Sequence, residues 1–453
     1  MSLVRRHLTR LAPLCASILL LWAASASAQT DNYKVLHGFC GPACGDGSLP
    51  NPVIGDSAGN LFGSTVGGVN YRGEVFELRH RPDGSYKYEI LYHFGQLIDP
   101  IGGLVMDTAG NLYGVAEGLD SVSNPGLVFE LSPSKSGWTE KTLYLFCRQI
   151  ECVDGIFPLA GLAYANQRSG VPYDGKSPLF GTTGLGGTTN VGTLFKLQPG
   201  KDGWKHTKLH DFCLSGTGGS CADGAYPQSQ LLLDASGNIF GTTTYGGAHG
   251  GYGYLSGTVF ELSPTGKKWR HTVLYSFCGG VKCADGAFPE SPLSFDASGA
   301  LYGFAVDGGG TCVLPQRPEG CGVAFRIVPD GENSQETVLY DFCITTGCHD
   351  GAHPRGTPFL DGNGNLLGVA IQGGELRDSY NQDGGGTVFE FSLADPESTY
   401  QVLHRFCQKQ QCDDGAWPED FVIDPSGAIV GSAAVGGRNA GQENGGAVFR
   451  LVP

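Results

Sequence analysis

Residues 230–277 read "QLLLDASGNIFGTTTYGGAHGGYGYLSGTVFELSPTGKKWRHTVLYSF". Four short apolar segments alternate with turns. The first, residues 230–234, runs into "ASGN". The second is residues 239–244, followed by a glycine-rich loop. The third is residues 257–262, followed by "SPTGK", and the fourth is residues 269–277. We name them A, B, C and D. β-Branched and aromatic residues between glycine turns read as strands rather than helices. In "D-x-x-G-N" the aspartate caps its own turn and the glycine accepts positive φ, so A and B form a tight hairpin. The same turn recurs at residues 56–60, 107–111 and 361–365.

The whole unit repeats. Its marker is the phenylalanine that ends strand D: Phe39, Phe94, Phe146, Phe212, Phe277, Phe342 and Phe406. A four-stranded antiparallel unit repeated at this period is the pattern of a propeller blade. The ends of the chain are informative. It opens on a D segment, "NYKVLHGF" (32–39), before any A segment, and it stops on a C segment, "GAVFRL" (446–451). The first strand therefore completes the last blade, which removes two exposed sheet edges. The sequence predicts an all-β fold, a single seven-bladed β-propeller of four-stranded antiparallel blades over residues 29–453. An open solenoid is the alternative, and it would want distinct polar capping repeats.

The first 28 residues read as a signal peptide. Arg5, Arg6 and Arg10 precede a short apolar run, and Ala26-Ser27-Ala28 offers a cleavage site. No later segment is long and apolar enough to span a bilayer. Loss of the three arginines leaves 26 basic against 44 acidic side chains, a net of −18. That balance disfavours nucleic acid and anionic membrane as partners, since both require clustered positive charge. The expected location is periplasmic or extracellular, and the expected state is a monomer.

The mature chain holds fourteen cysteines in seven local pairs: Cys40/Cys44, Cys147/Cys152, Cys213/Cys221, Cys278/Cys283, Cys312/Cys321, Cys343/Cys348 and Cys407/Cys412. Six share one sentence, typified by "LYSFCGGVKCADGAFP" (274–289). In "LYHFGQLIDP" (91–100) both cysteines are missing together, as expected of partners. In an exported protein the natural partnership is a disulfide. Zinc sites want four ligands and often histidine, and redox pairs want C-x-x-C; neither pattern recurs. No metal and no cofactor is expected.

Antiparallel alternation places the A–B and C–D turns on one face and the B–C and D–A loops, with the disulfides, on the other. The B–C loops vary most, and Cys312/Cys321 lies in the longest. Variable loops on a rigid scaffold are the usual place for binding. Two residue sets on that face are candidates. The residue before the proline in "D-G-x-x-P" is Phe157, Tyr226, Phe288, His353 or Trp417. With strand A innermost these rings sit near the rim of the channel, where they stack on sugars or pack between blades. The loops add Tyr245, His249, Tyr252, Tyr254, Arg317, Arg377, Tyr380 and Arg438, of residue types favoured at interfaces.

The aspartates of the recurring "DG" (Asp46, Asp154, Asp223, Asp285, Asp350, Asp414) read as turn formers, because a residue present in almost every blade serves every blade. His37, His93, His210 and His404 share one D-strand position with tyrosines, which suggests packing. No nucleophile elbow, HExxH, Walker loop or calcium loop is present, so no catalytic residue is assigned.

The units "LYSFCGGVKCADGAFPESPLSFDASGALYG" and "DASGNIFGTTTYGG…GTVFELSP" resemble the GloVer (Gloeo–Verruco type) tandem repeat of exported bacterial proteins. The resemblance covers essentially the whole mature chain. It implies a β-propeller with no established activity, often with a C-terminal surface anchor; here Pro453 follows the last strand directly, which favours free export. A looser likeness to kelch blades rests on the glycine doublet and Trp138, Trp204 and Trp269. The expected function is a non-catalytic exported propeller binding a glycan or a cell-surface protein on the disulfide face. The alternatives are a polysaccharide lyase or hydrolase with its site at the channel mouth, and a purely structural envelope protein.

Overall fold

The computed structural model describes residues 32–453 except 41–44, 68–72, 96–97, 119–124, 168–169, 215–220, 250–255, 311, 313–319, 375–383 and 438–444. The signal-peptide expectation, residues 1–28, lies outside the described residues. Residues Tyr33–Pro453 form one compact unit.

In the unit of residues 230–277, Asp234 Oδ1 accepts the N–H groups of Ser236 (2.9 Å) and Asn238 (2.8 Å), and Oδ2 accepts a hydrogen bond from Asn238 Nδ2. Gly237 takes φ +84°, as a tight turn requires. The hairpin so closed pairs inner strand Leu232–Leu233 with Ile239–Thr243, which pairs with Thr258–Thr265, which pairs with Lys268–Ser276. Seven such antiparallel blades are arranged in a ring. The N-terminal strand Tyr33–Gly38 pairs with the C-terminal strand Ala447–Leu451 in the register Tyr33↔Leu451, so the first strand closes the last blade.

Blades meet through one repeated contact. The marker phenylalanine of each blade packs on the central C-strand phenylalanine of the next, with centroids 5.0–5.3 Å apart, from Phe39–Phe76 round to Phe406–Phe449. Edge-on geometry of this kind is preferred between aromatic rings. The second ring of each pair lies over the strand-B glycine of its own blade, from Gly63 under Phe76 round to Gly431 under Phe449. A Cβ on Gly303 would stand 2.4 Å from Phe325 Cζ, and one on Gly241 2.7 Å from Phe260 Cζ. That close approach, rather than turn geometry, is why the strand carries glycine.

The inner strands vary most from blade to blade. In the second, sixth and seventh blades they run as Ile98–Met106, Ala352–Leu360 and Ala416–Ile423, each with a register shift. In the third blade the inner strand is reduced to the isolated bridges Ile156↔Leu185 and Ala163↔Phe180. Proline opens this strand in every blade and withholds a ladder N–H. The first, fifth and sixth blades add Pro52, Pro292 and Pro358 inside it.

Candidate functional site

The disulfide face is assembled around the "DG" aspartates. Asp154 accepts the Tyr144 hydroxyl (2.7 Å) and the N–H groups of Arg148 and Gln149. Asp350 accepts Tyr340 and the N–H groups of Ile344 and Thr345, and Asp414 accepts those of Gln408 and Lys409. Each carboxylate thus ties strand D to the turn that follows it. The turn carries the cysteines: Cys147–Cys152, Cys213–Cys221, Cys278–Cys283, Cys343–Cys348 and Cys407–Cys412 are bonded, and so is Cys312–Cys321 in the long B–C loop. Cys40 is also disulfide-bonded, while Cys44 lies outside the described residues. The Cys312, Cys321 and Cys343 sulfurs lie within 4.8 Å of one another, so two of these bridges are in contact. In the second blade the missing cysteines are accompanied by a missing aspartate. There Asp99 fills the pre-proline position, buried opposite Glu117, with its carboxyl pushed up to about 6 by burial.

The ring position on strand D is a packing position. His37 stacks on Tyr88, Tyr144 on His206, His210 on His271, Tyr340 on Tyr400 and His404 on Tyr33, at 3.7–4.4 Å between centroids. Burial holds His206 and His404 down at about 4 and His271 at about 3, so these rings are neutral at physiological pH. His93 does not belong to this set, contrary to the sequence expectation. It lies one residue further on, with Nδ1 3.2 Å from Glu74 Oε1, and Tyr92 holds the ring position.

Phe157, Tyr226, Phe288, His353 and Trp417 share an uncommon backbone, with φ between 54° and 61°. Left-handed conformation on a non-glycine residue costs roughly 1–3 kcal/mol. A compensating bond recurs. Each N–H donates to a carbonyl of the preceding blade, at Pro125, Val191, Ser256, Cys321 and Gly385, over 2.7–3.0 Å. None of the five is among the residues that line the central cavity. Tyr245 packs between Tyr226 (5.9 Å) and Phe288 (5.4 Å). His353 is buried with Nδ1 2.9 Å from Asp307 Oδ1, and Phe157 is half-buried. Trp417 is 41% exposed, and His249 is exposed beside Gly279. Tyr252, Tyr254, Arg317, Arg377, Tyr380 and Arg438 lie outside the described residues.

The inner A strands of all seven blades line a central cavity of about 1300 Å³. Its first ring is the residue after the proline. Asn51 and Gln228 are polar there, Ile101 and Leu159 apolar, and Glu290, Arg355 and Glu419 charged. The three charged residues stand on consecutive blades. Arg355 Nη2 donates to Glu290 Oε2 at 2.8 Å, and Nη1 lies 3.9 Å from Glu419 Oε2. All three side chains keep contact with solvent. Burial pushes the Glu419 carboxyl above its usual range, against the pull of Arg355. Burial works against the charged Arg355, but Glu290 and Glu419 outweigh it and raise its pKa. Asp420 beside Glu419 accepts Thr357 N and Oγ1 at 3.0 Å, which ties the sixth blade to the seventh. Further along the same walls lie Phe295, Phe359 and Phe421. Reading the column before the proline missed this site. The column after it, aligned over seven units, is the signal that finds it.

Residues 156–379 match the Gloeobacter/Verrucomicrobia repeat. The chain carries that repeat. Among solved structures it resembles the extracellular domain of a one-component system from B. thetaiotaomicron at 10% identity and a TM-score of 0.50. The likeness covers 92% of this chain and 40% of that one, so the chain spans about two fifths of that protein. An aldose sugar dehydrogenase from Streptomyces coelicolor in its PQQ-bound form is similar at 14% identity and a TM-score of 0.41, over 79% of this chain and 97% of that one. A glucose dehydrogenase-type oxidoreductase from Thermus thermophilus stands at 13% and 0.40, over 77% and 95%. The first likeness shows the fold of the repeat, a propeller. No curated protein matches the chain in sequence. Among the described residues no helix is long and apolar enough to cross a membrane.

Proposed function

We propose that this is an exported propeller that binds a carbohydrate at the disulfide-side end of its central cavity. Export is supported by the disulfides, which persist in oxidising compartments. The observation that carries the binding reading is the Glu290–Arg355–Glu419 cluster. It is the place where seven otherwise equivalent positions stop being equivalent. A concave site with a few convergent polar groups on mostly apolar walls is the usual form of a small-ligand site. Phe359, 36% exposed on the same blade as Arg355, supplies a ring against which a sugar face can rest. The test is glycan-array screening of the mature protein, followed by calorimetry on Arg355→Gln. A glycan bound by the parent and lost in the variant is the expected result. A glycan bound equally by both would move the site elsewhere.

A polysaccharide-cleaving enzyme is the second reading. The observation in its favour is that two carboxylates, Glu290 and Glu419, share one arginine at the cavity wall, and that burial raises the Glu419 carboxyl above its ordinary value. Release of reducing ends or of unsaturated sugars from a bound glycan, abolished by Glu419→Gln, would establish it. Binding without turnover would retire it.

A further inference from the structure

The cluster also specifies what kind of sugar fits, given the carbohydrate reading above. Among the described residues Arg355 makes one hydrogen bond, to Glu290 at 2.8 Å, although its guanidinium carries five N–H donors. Nη1 and Glu419 Oε2 stand 3.9 Å apart, which is beyond hydrogen-bond range. A hydroxyl placed between them completes both ends, accepting from Nη1 and donating to Glu419. A neighbouring hydroxyl reaches the guanidinium edge and the Glu290 carboxylate in the same sense. Acceptor, donor and acceptor therefore alternate along this wall, an order that a pair of adjacent hydroxyls can follow. Each group is 22–36% exposed and lines the cavity, so the pattern faces the lumen rather than the blade interior.

The charge balance points the same way. One cation faces two carboxylates in the ring, and Asp420 adds a third beside them. The wider lining adds Asp234, Glu261 and Asp296 and no second cation among the described residues. An incoming carboxylate would meet an arginine already balanced and a wall of like charge, in a cavity where water screens less than in bulk. The opposite arc of the ring, Ile101 and Leu159, offers no donor to offset it.

We propose that the lumen takes an uncharged glycan through vicinal hydroxyls at Glu290, Arg355 and Glu419, and rejects uronic-acid polymers. The experiment is isothermal titration of the mature chain with maltohexaose, cellohexaose, mannohexaose and xylohexaose, against hexagalacturonate and hexamannuronate, at 0.15 M salt. At least one neutral hexasaccharide binds, at least tenfold tighter than either acidic one. Glu290→Gln/Glu419→Gln narrows that ratio by about tenfold, because it removes the repelling charges while keeping hydrogen-bonding side chains. Arg355→Gln weakens the neutral ligand by tenfold or more, with melting temperature recorded alongside; Arg355→Lys, which keeps the charge but loses the fork, is read in parallel as a second variant. An acidic hexasaccharide that binds as tightly as any neutral one overturns this inference and leaves the carbohydrate reading standing. A ratio unmoved in the double variant overturns it too. Binding of none of the six overturns the carbohydrate reading itself.

Discussion

The outer wall and the lumen are made from the same seven units, yet one is uniform and the other is not. Around the outer blades every junction repeats a marker phenylalanine on the next blade's phenylalanine, and five of them add a D-strand ring stacked on the neighbouring D strand. In the lumen the residue after the proline differs from blade to blade, from Ile101 to Arg355. Closure of a ring imposes the same geometry on every junction, so the junction chemistry recurs. A ligand in the centre, as proposed above, would touch each blade differently, so nothing would force the inner column to repeat. Repetition marks what holds the propeller, and its local failure is where we propose that a ligand is met.

That contrast is open to direct attack. Phe277→Ala empties a fully buried site against Phe325 and is expected to cost about 3–5 kcal/mol by denaturant unfolding. If Glu290→Gln cost as much, the lumen cluster would be a structural clamp and the contrast would collapse. Next in size is Cys278→Ser/Cys283→Ser. The bridge closes a loop of sequence separation 5, for which chain entropy gives about 2 kcal/mol, seen as a lower denaturation midpoint at unchanged ligand affinity.

The third prediction concerns an exception on the outer wall. Glu336 occupies the position where five junctions hold a tyrosine or histidine ring against the preceding blade. It faces Tyr275 and Asp285, and its carboxyl is pushed up to about 8 by burial and then by Asp285. A carboxyl raised in the folded state costs nothing while both states are protonated. Its penalty grows as pH rises from the unfolded value near 4.5 towards 8, and is complete above that. Wild-type stability should therefore fall across this window. Glu336→Gln should remove that fall, stabilising by roughly 1–2 kcal/mol at pH 9 after allowance for its partial exposure and by close to zero at pH 4.5. Melting curves at the two pH values check it, and an equal effect at both would mean that ionisation is not the cause. The smallest effect is the most diagnostic: Glu290→Gln should change stability by only about 0.5 kcal/mol or less while altering glycan selectivity.

Much of the architecture was open to sequence reading because it is local or repeated. Asp234 with Gly237 and Asn238 builds its hairpin from five consecutive residues, and Cys278 and Cys283 find each other within one turn. The candidate site was not open to it. The rings of Phe157, Tyr226, Phe288, His353 and Trp417 drew attention as aromatic residues near a predicted rim, but each holds its conformation by bonding to the blade before it. Glu290, Arg355 and Glu419 are separated by a full repeat each, and they stand out only when the column after the proline is compared across the seven units.

The sequence by itself determined the number of blades, the closing strand, the disulfide partners and the face on which they lie. All of these follow from periodicity and from contacts between near neighbours in the chain. Only the tertiary structure decided that strand A lines the lumen, that the residue before the proline serves the junction, and that the residue after it faces the cavity. The physical reason is ring closure. It brings one residue from each distant repeat onto a common axis, where a glutamate, an arginine and another glutamate become a single site.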